Sequence, residues 1–196
     1  SSKMYSDTFR GGGGHTGCIE EYRADGSLVW RLALATDDYI HHHDVQKLAN
    51  GNVLAVIWER VSTDKAIALG RNPEHVAENG ELWFDGIVEV NPMTAEIVWE
   101  WSIQHHLIQD FDPSQSNYGV VADNPGRLDI NAIKFNPDGS VGADWTHVNT
   151  LNYNEELDQI IFSSYYMSEV FVIDHNTTPH EAQGPAGDFL YRWGNP

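Results

Sequence analysis

Two short stretches place histidines where they could do chemistry. The first, His41-His42-His43-Asp44, runs into Val45-Gln46-Lys47 and an Asn50-Gly51 pair, after which Val53 to Trp58 return as an apolar run. Asn-Gly suits a two-residue hairpin turn, because both positions of that turn need positive φ. The second stretch, Thr146-His147-Val148-Asn149, runs to Asn154 and is answered by Gln159-Ile160-Ile161-Phe162-Ser163-Ser164. An imidazole can exchange a proton near neutral pH, and it can donate hydrogen bonds to oxygens on which negative charge collects. Side chains alternate across a strand, so His41 and His43 are expected on one face and His42 on the other. A metal set of His41, His43 and His147 is the competing use of the same residues. Asp44 alone sits near them with a carboxylate, which counts against a metal. Asp44 itself is expected to orient a histidine or the backbone; Asp144 and Trp145, ahead of His147, are read as rimming the mouth of the site, with blade packing the other reading for Trp145.

These histidines need strands to hold them, and the chain supplies strands in a repeating order. Residues 18–34 read as a hairpin with an Asp25-Gly26 turn. A histidine strand, an apolar return strand, Ile87-Val88-Glu89-Val90 and Ile97-Val98-Trp99-Glu100-Trp101 then follow, with a short helix expected near Ala66 to Leu69. The same order recurs as the His147 strand, its return, Val170-Phe171-Val172-Ile173 and Leu190-Tyr191-Arg192-Trp193. Four antiparallel strands per repeat are the pattern of a propeller blade. The expected fold is therefore all-β, a β-propeller with about two and a half four-stranded blades. All of residues 1–196 are read as part of a single propeller domain. In it, 18–34 give the outer strands of one blade, 40–102 a blade, 103–145 an insertion and 146–194 a further blade.

His43 and His147 open the first strands of their blades, and first strands line the central channel, so the two side chains are expected to converge. Two and a half blades leave open sheet edges, and the remaining blades are expected from the rest of a longer product or from a partner chain. The insertion, with His105, His106, Asp110 and Asp112, reads as a solvated loop, a lid or a calcium loop. The run Gly11 to Gly14 reads as a flexible connector, since no helix with a phosphate-anchoring residue follows it. Trp30, Trp99, Trp101 and Trp193 read as packing between blades.

Composition excludes some partners. With 29 acidic and 11 basic side chains the formal charge is −18, which argues against nucleic acid, whose phosphates require clustered Lys and Arg. A single cysteine, Cys18, allows no disulfide within the chain, and no run approaches the ~20 apolar residues of a membrane span.

The residues His42-His43-Asp44-Val45, Leu48-Ala49-Asn50-Gly51-Asn52-Val53-Leu54, Glu81-Leu82-Trp83, Ile97-Val98-Trp99-Glu100-Trp101, Asp144-Trp145-Thr146-His147-Val148-Asn149, Ser163-Ser164 and Tyr191-Arg192-Trp193-Gly194-Asn195-Pro196 together resemble the bacterial aryl-sulfate sulfotransferase family, which are six-bladed propellers. The resemblance implies sulfuryl transfer from a phenolic sulfate ester to a phenol, by a ping-pong route through a sulfated histidine and without a nucleotide donor, so no metal and no other cofactor is expected. It implies that His43 and His147 are the catalytic channel histidines, with Tyr165, Asp44, Trp145 and Asn149 about the substrate. Small phenolic sulfates or phenols are the implied partners, and the periplasm or the outside of a bacterium the implied location. Tyr165 stands where better-known members carry an arginine that clamps the sulfate. The family's nucleophilic histidine is expected on a blade beyond residue 196. The reading from a different class is a propeller that keeps the scaffold as a binding or structural module in an extracellular assembly.

Overall fold

The computed structural model describes residue 9 and residues 13–133, 135–136 and 138–194. Gly11 and Gly12 of the glycine run, and Asn195 and Pro196 of the last quoted stretch, lie outside the described residues. The fold is all-β, as the repeats require. Strands β1 (Cys18–Tyr22) and β2 (Leu28–Ala33) form an antiparallel pair. Strands β3 (Tyr39–Lys47), β4 (Val53–Ser62), β5 (Glu81–Asn91) and β6 (Glu96–Ser102) form a four-stranded antiparallel sheet in chain order. Two residues each of β7 (Leu107–Ile108) and β8 (Leu128–Asp129) pair in parallel. A second four-stranded antiparallel sheet comprises β9 (Val148–Asn154), β10 (Gln159–Ser164), β11 (Glu169–Asp174) and β12 (Tyr191–Gly194), again in chain order. The two sheets are propeller blades, each a meander of the kind the repeats describe.

The alternation of β4 explains the stacking of the blades. Its even-numbered residues Leu54 and Val56 join Phe84, Trp99, Trp101, Leu151, Phe162 and Phe171 in the main core between the two blades. Its odd-numbered residues Val53, Ala55 and Ile57 meet Ile19, Leu32 and Leu34 from the β1–β2 hairpin. A strand buried on both faces reads as a continuous apolar run, which is how Val53 to Trp58 reads. A third cluster, Ile40, Trp58, Trp83, Phe9, Ala77 and Ala143, lies beneath the histidines.

The tryptophans divide. Trp99 and Trp101 are buried, and their indole N–H groups donate to Thr177 Oγ1 at 3.2 Å and to the Gly187 carbonyl at 2.8 Å, both on the neighbouring blade. Trp193, by contrast, is 68% exposed on the outer strand β12, so it does not pack between these blades.

The 103–145 segment is packed more firmly than a solvated loop. Leu107, Ile108, Leu128 and Ile130 are buried, and His106 stacks on Trp101 while its ring nitrogens meet Asp188 Oδ1 at 2.9 Å and the Ala182 carbonyl at 3.0 Å. Asp112 spends its carboxylate on its own loop, accepting from the backbone and hydroxyl of Ser114. Burial of apolar residues at both ends of the segment is what removes it from solvent. A short helix, α1 (Thr63–Ala68), begins slightly earlier than its apolar residues suggest, because Ser62 caps it by accepting from the Lys65 N–H.

Candidate functional site

The alternation expected for His41, His42 and His43 fails, and the cause is a bulge. The β3–β4 register breaks between His41 and Val45, and His43 adopts a left-handed backbone with φ of 53°. A bulge re-aims side chains that strict alternation would send to opposite faces. His41 therefore goes into the core alone, where its Nδ1 meets the Val56 carbonyl at 2.9 Å. His42 and His43 instead come together, with their Nδ1 atoms 3.0 Å apart. This separation of His41 from His43 breaks up the trio considered for a metal. Among the described residues no group of three or more histidine, cysteine or acidic side chains is placed to hold one.

His147 repeats the device. Its φ is 51°, and the β9–β10 register shifts at Ser163/Ser164, beside it. The His43 and His147 rings meet edge to face, 4.7 Å between centroids. Left-handed backbone is uncommon outside glycine and asparagine, and here two histidines of neighbouring blades share it.

The glycine run is part of the site. The His43 N–H donates to the Gly14 carbonyl at 2.9 Å. Gly14 has φ of 83°, and a Cβ there would come 2.5–2.7 Å from the His43 ring. Only glycine can lie so close under the imidazole, so Gly14 seats His43 and is no mere connector.

Two aspartates back the pair. Asp144 accepts a short hydrogen bond from His147 Nδ1, which pushes the imidazole pKa up from its ordinary value. Burial raises the Asp144 carboxyl as well, so the pair keeps its shared proton to higher pH than a free imidazole would. Asp85 is buried in the middle of β5. Its Oδ2 accepts from the Thr146 hydroxyl and, at 3.2 Å, from the Val148 N–H. Its Oδ1 lies 2.9 Å from His42 Nε2, although the two are not in line for a hydrogen bond. Burial moves Asp85 up to about 7 and His42 down to about 3. His42 is fully enclosed and stacked flat on Trp58 at 4.0 Å, so it is neutral at physiological pH. His43 is also shifted down, first by burial and then by His42.

The other sequence-selected residues scatter. Tyr165 is 55% exposed, with its ring 5.7 Å from that of His147, and Tyr166 lies 5.1 Å from His147 and 5.3 Å from Tyr165, so the three rings form one cluster. Asn149 accepts from the Ser163 hydroxyl at 2.7 Å. Asp44 does not face the histidines with a spare carboxylate: Oδ2 accepts from Thr150 Oγ1 at 2.8 Å and the Leu151 N–H at 2.9 Å, tying β3 to β9. Trp145 takes the packing role and not the rim: it is 3% exposed in the main core, donating to the Ala132 carbonyl and edge-on to Phe84. Its indole is too large and apolar to leave outside once Phe84 and Arg71 pack around it.

Sequence reasoning missed Asp85. The strand is read in the sequence from Ile87-Val88-Glu89-Val90, which leaves Asp85 ahead of it. The signal was there in Glu81-Leu82-Trp83-Phe84, whose apolar residues continue the strand backwards and leave Asp85 as a lone carboxylate inside it.

The profile of the family described as Arylsulfotransferase (ASST) matches residues 18–179. No curated protein matches the chain.

Proposed function

Since the chain belongs to the arylsulfotransferase family, we propose that it forms part of a propeller that moves a sulfuryl group from a phenolic sulfate ester to a phenol at the His43–His147 pair, without a nucleotide donor. The observation that carries this reading is the pair itself: two imidazoles 4.7 Å apart on equivalent left-handed positions of neighbouring blades. His147, with Nδ1 engaged by Asp144, presents Nε2–H as a cationic donor. Charge grows on the sulfuryl and leaving-group oxygens as sulfur is attacked, and a preorganised cation there stabilises it. On a chain of net charge −18, such a local cation matters for admitting an anionic ester. His43, neutral at neutral pH, suits proton exchange with the phenol oxygen. Tyr165 and Tyr166 cluster beside His147, where an aryl ring would stack, and Asn149 lies two residues beyond it.

On this reading the described blades belong to one propeller domain, completed by blades from the same product or a partner chain, one of which supplies the sulfated histidine. The location is the periplasm or the exterior of a bacterium, as is usual for the family; among the described residues no helix is long and apolar enough to cross a membrane.

The test is transfer from an aryl sulfate to a phenol, without nucleotide, by the full-length protein and its His147→Asn variant. Loss of one preorganised donor of this kind is expected to cost at least ~100-fold in turnover; undiminished transfer by the variant overturns the assignment. One observation favours a second reading, a binding or structural module in an extracellular assembly. Tyr165 brings neither the charge nor the fork of the arginine that the resembled enzymes place there. No transfer and no histidine sulfation with a panel of aryl sulfates, together with a defined assembly, is the result expected of that module.

A further inference from the structure

Trp58 is fully buried, and four imidazole rings surround its indole. His42 lies flat against it and is itself enclosed. The other three, His15, His43 and His147, have ring centroids 6.4, 6.3 and 6.2 Å from that of the indole. Solvent reaches all three, since His43 is exposed and His15 and His147 are half-buried. Three accessible imidazoles from three segments thus stand over one buried floor. Two of them are the His43–His147 pair. The third, His15, comes from the end of the glycine run.

The backbone holds His15 in place. It pairs with His42 as an isolated antiparallel bridge. Ahead of it the Gly14 carbonyl accepts from the His43 N–H at 2.9 Å, and after it the Thr16 and Gly17 N–H groups donate to the His41 carbonyl at 3.1 and 3.3 Å. The segment that bulges to re-aim His43 is therefore also the one that anchors His15, through bonds on both sides of it.

Three such rings could serve a cation or an anion. Among the described residues no group of three or more histidine, cysteine or acidic side chains is placed to hold a metal, and the nearby carboxylates are engaged. Asp44 Oδ2 accepts from Thr150 and Leu151, Asp144 Oδ2 from His147, and Asp85 Oδ2 from Thr146 and Val148. Imidazole carries an N–H in either protonation state. N–H groups gathered over one floor suit the oxygens of a tetrahedral anion, because hydrogen bonds to a charged acceptor are the strong ones.

We propose that His15 is a third ligand of the sulfuryl oxygens, a substrate-binding residue that grips the anionic group of the ester from the glycine loop while His43 and His147 face it from the blades. A sulfate monoester has three non-bridging oxygens, one for each imidazole. No bond-making step falls to His15. Its contact is made in the ground state and the transition state alike, so it acts on KM more than on kcat. That the anion is an ester rests on the sulfuryl-transfer reading, whereas the imidazole cluster does not.

The experiment uses the full-length protein with inorganic sulfate as the probe, followed by nitrogen NMR of the histidine rings, and then an aryl sulfate for kinetics. Sulfate is expected to shift the His15 ring signals together with those of His43 and His147. His15→Ala is expected to weaken sulfate about tenfold, the worth of one hydrogen bond to a charged group, and to raise KM for the aryl sulfate by a similar factor with kcat little changed. His15→Gln keeps an N–H donor and is expected to recover most of the affinity. No His15 shift with sulfate, unchanged affinity and KM in His15→Ala, or a loss that His15→Gln does not repair overturns the proposal. Should His15→Ala fail to fold, the His15 shift in the unmodified protein and the affinity of His15→Gln decide. Sulfate held through His15 without any aryl sulfate turnover leaves this site standing and removes the sulfuryl reading; transfer with unchanged KM in His15→Ala does the reverse.

Discussion

The two histidine hairpins share a backbone, and their imidazoles are shifted in opposite directions. His43 and His147 both sit in left-handed conformation at a break in strand register. Asp144 hydrogen-bonds His147 directly and favours its protonated form, whereas His43 is disfavoured as a cation first by burial and then by the neighbouring His42 ring. One imidazole is therefore pushed up and the other down. The repeat supplies geometry, and the neighbours, which do not repeat, supply the chemistry. This is how two copies of one supersecondary unit can take different roles in one reaction.

The difference can be erased at its source. Asp144→Asn removes the partner that keeps His147 charged, so its pKa falls back toward or below the ordinary histidine value, and the alkaline limb of the rate profile moves to lower pH. At pH 7 the expected loss in kcat/KM is about 10–100-fold, the range of one charge-assisted contact in a shielded site. An unchanged profile would make the two histidines electrostatically equivalent.

On the His43 side, the cost of keeping Asp85 buried can be read as stability. Its carboxyl binds a proton more tightly folded, at about 7, than unfolded. It therefore contributes most below its unfolded value, near 4, and loses that contribution as pH rises toward 7. His42 works in the opposite sense, since its depressed pKa favours folding as pH rises from about 3 to its unfolded value. Denaturant titrations of Asp85→Asn against the unmodified chain isolate the first effect. The variant's relative stability is expected to grow by a few kcal/mol between pH 4 and pH 8; a constant difference would place Asp85 outside the titrating groups.

Two smaller changes separate the hairpins mechanically. Gly14→Ala puts a Cβ against the His43 ring in a backbone region that L-residues avoid; about 1–2 kcal/mol of stability is expected to be lost, with shifts at His43 and none at the His147–Asp144 contact in NMR spectra. Asp44→Ala removes the bonds to Thr150 and Leu151 that tie β3 to β9. About 1 kcal/mol is expected there, seen as a lower urea midpoint at unchanged slope.

Much of this frame was legible in the residues. Asn50-Gly51 and the apolar run of β4 fixed one hairpin, and its echo around His147 fixed the second, because turn chemistry and strand alternation are local. What was not legible depended on departures from alternation. A bulge swaps His41 for His42 beside His43, and no pattern of residue types announces it. Asp85 stands ahead of the strand read from Ile87, and only the burial of β5 on both faces shows it to be mid-strand. Trp145 follows Asp144 directly, yet one lies in the core and the other at the site, because the chain there pairs only briefly, at Trp83 and Asp144, before β9 begins.

The central claim is that one repeated geometry presents two imidazoles whose surroundings shift them in opposite directions. The most direct measurement is the pH titration of His43 and His147 by NMR in the same sample. His147 is expected to titrate above the ordinary histidine value and His43 below it. Coincident titrations, or the reverse order, would contradict the account.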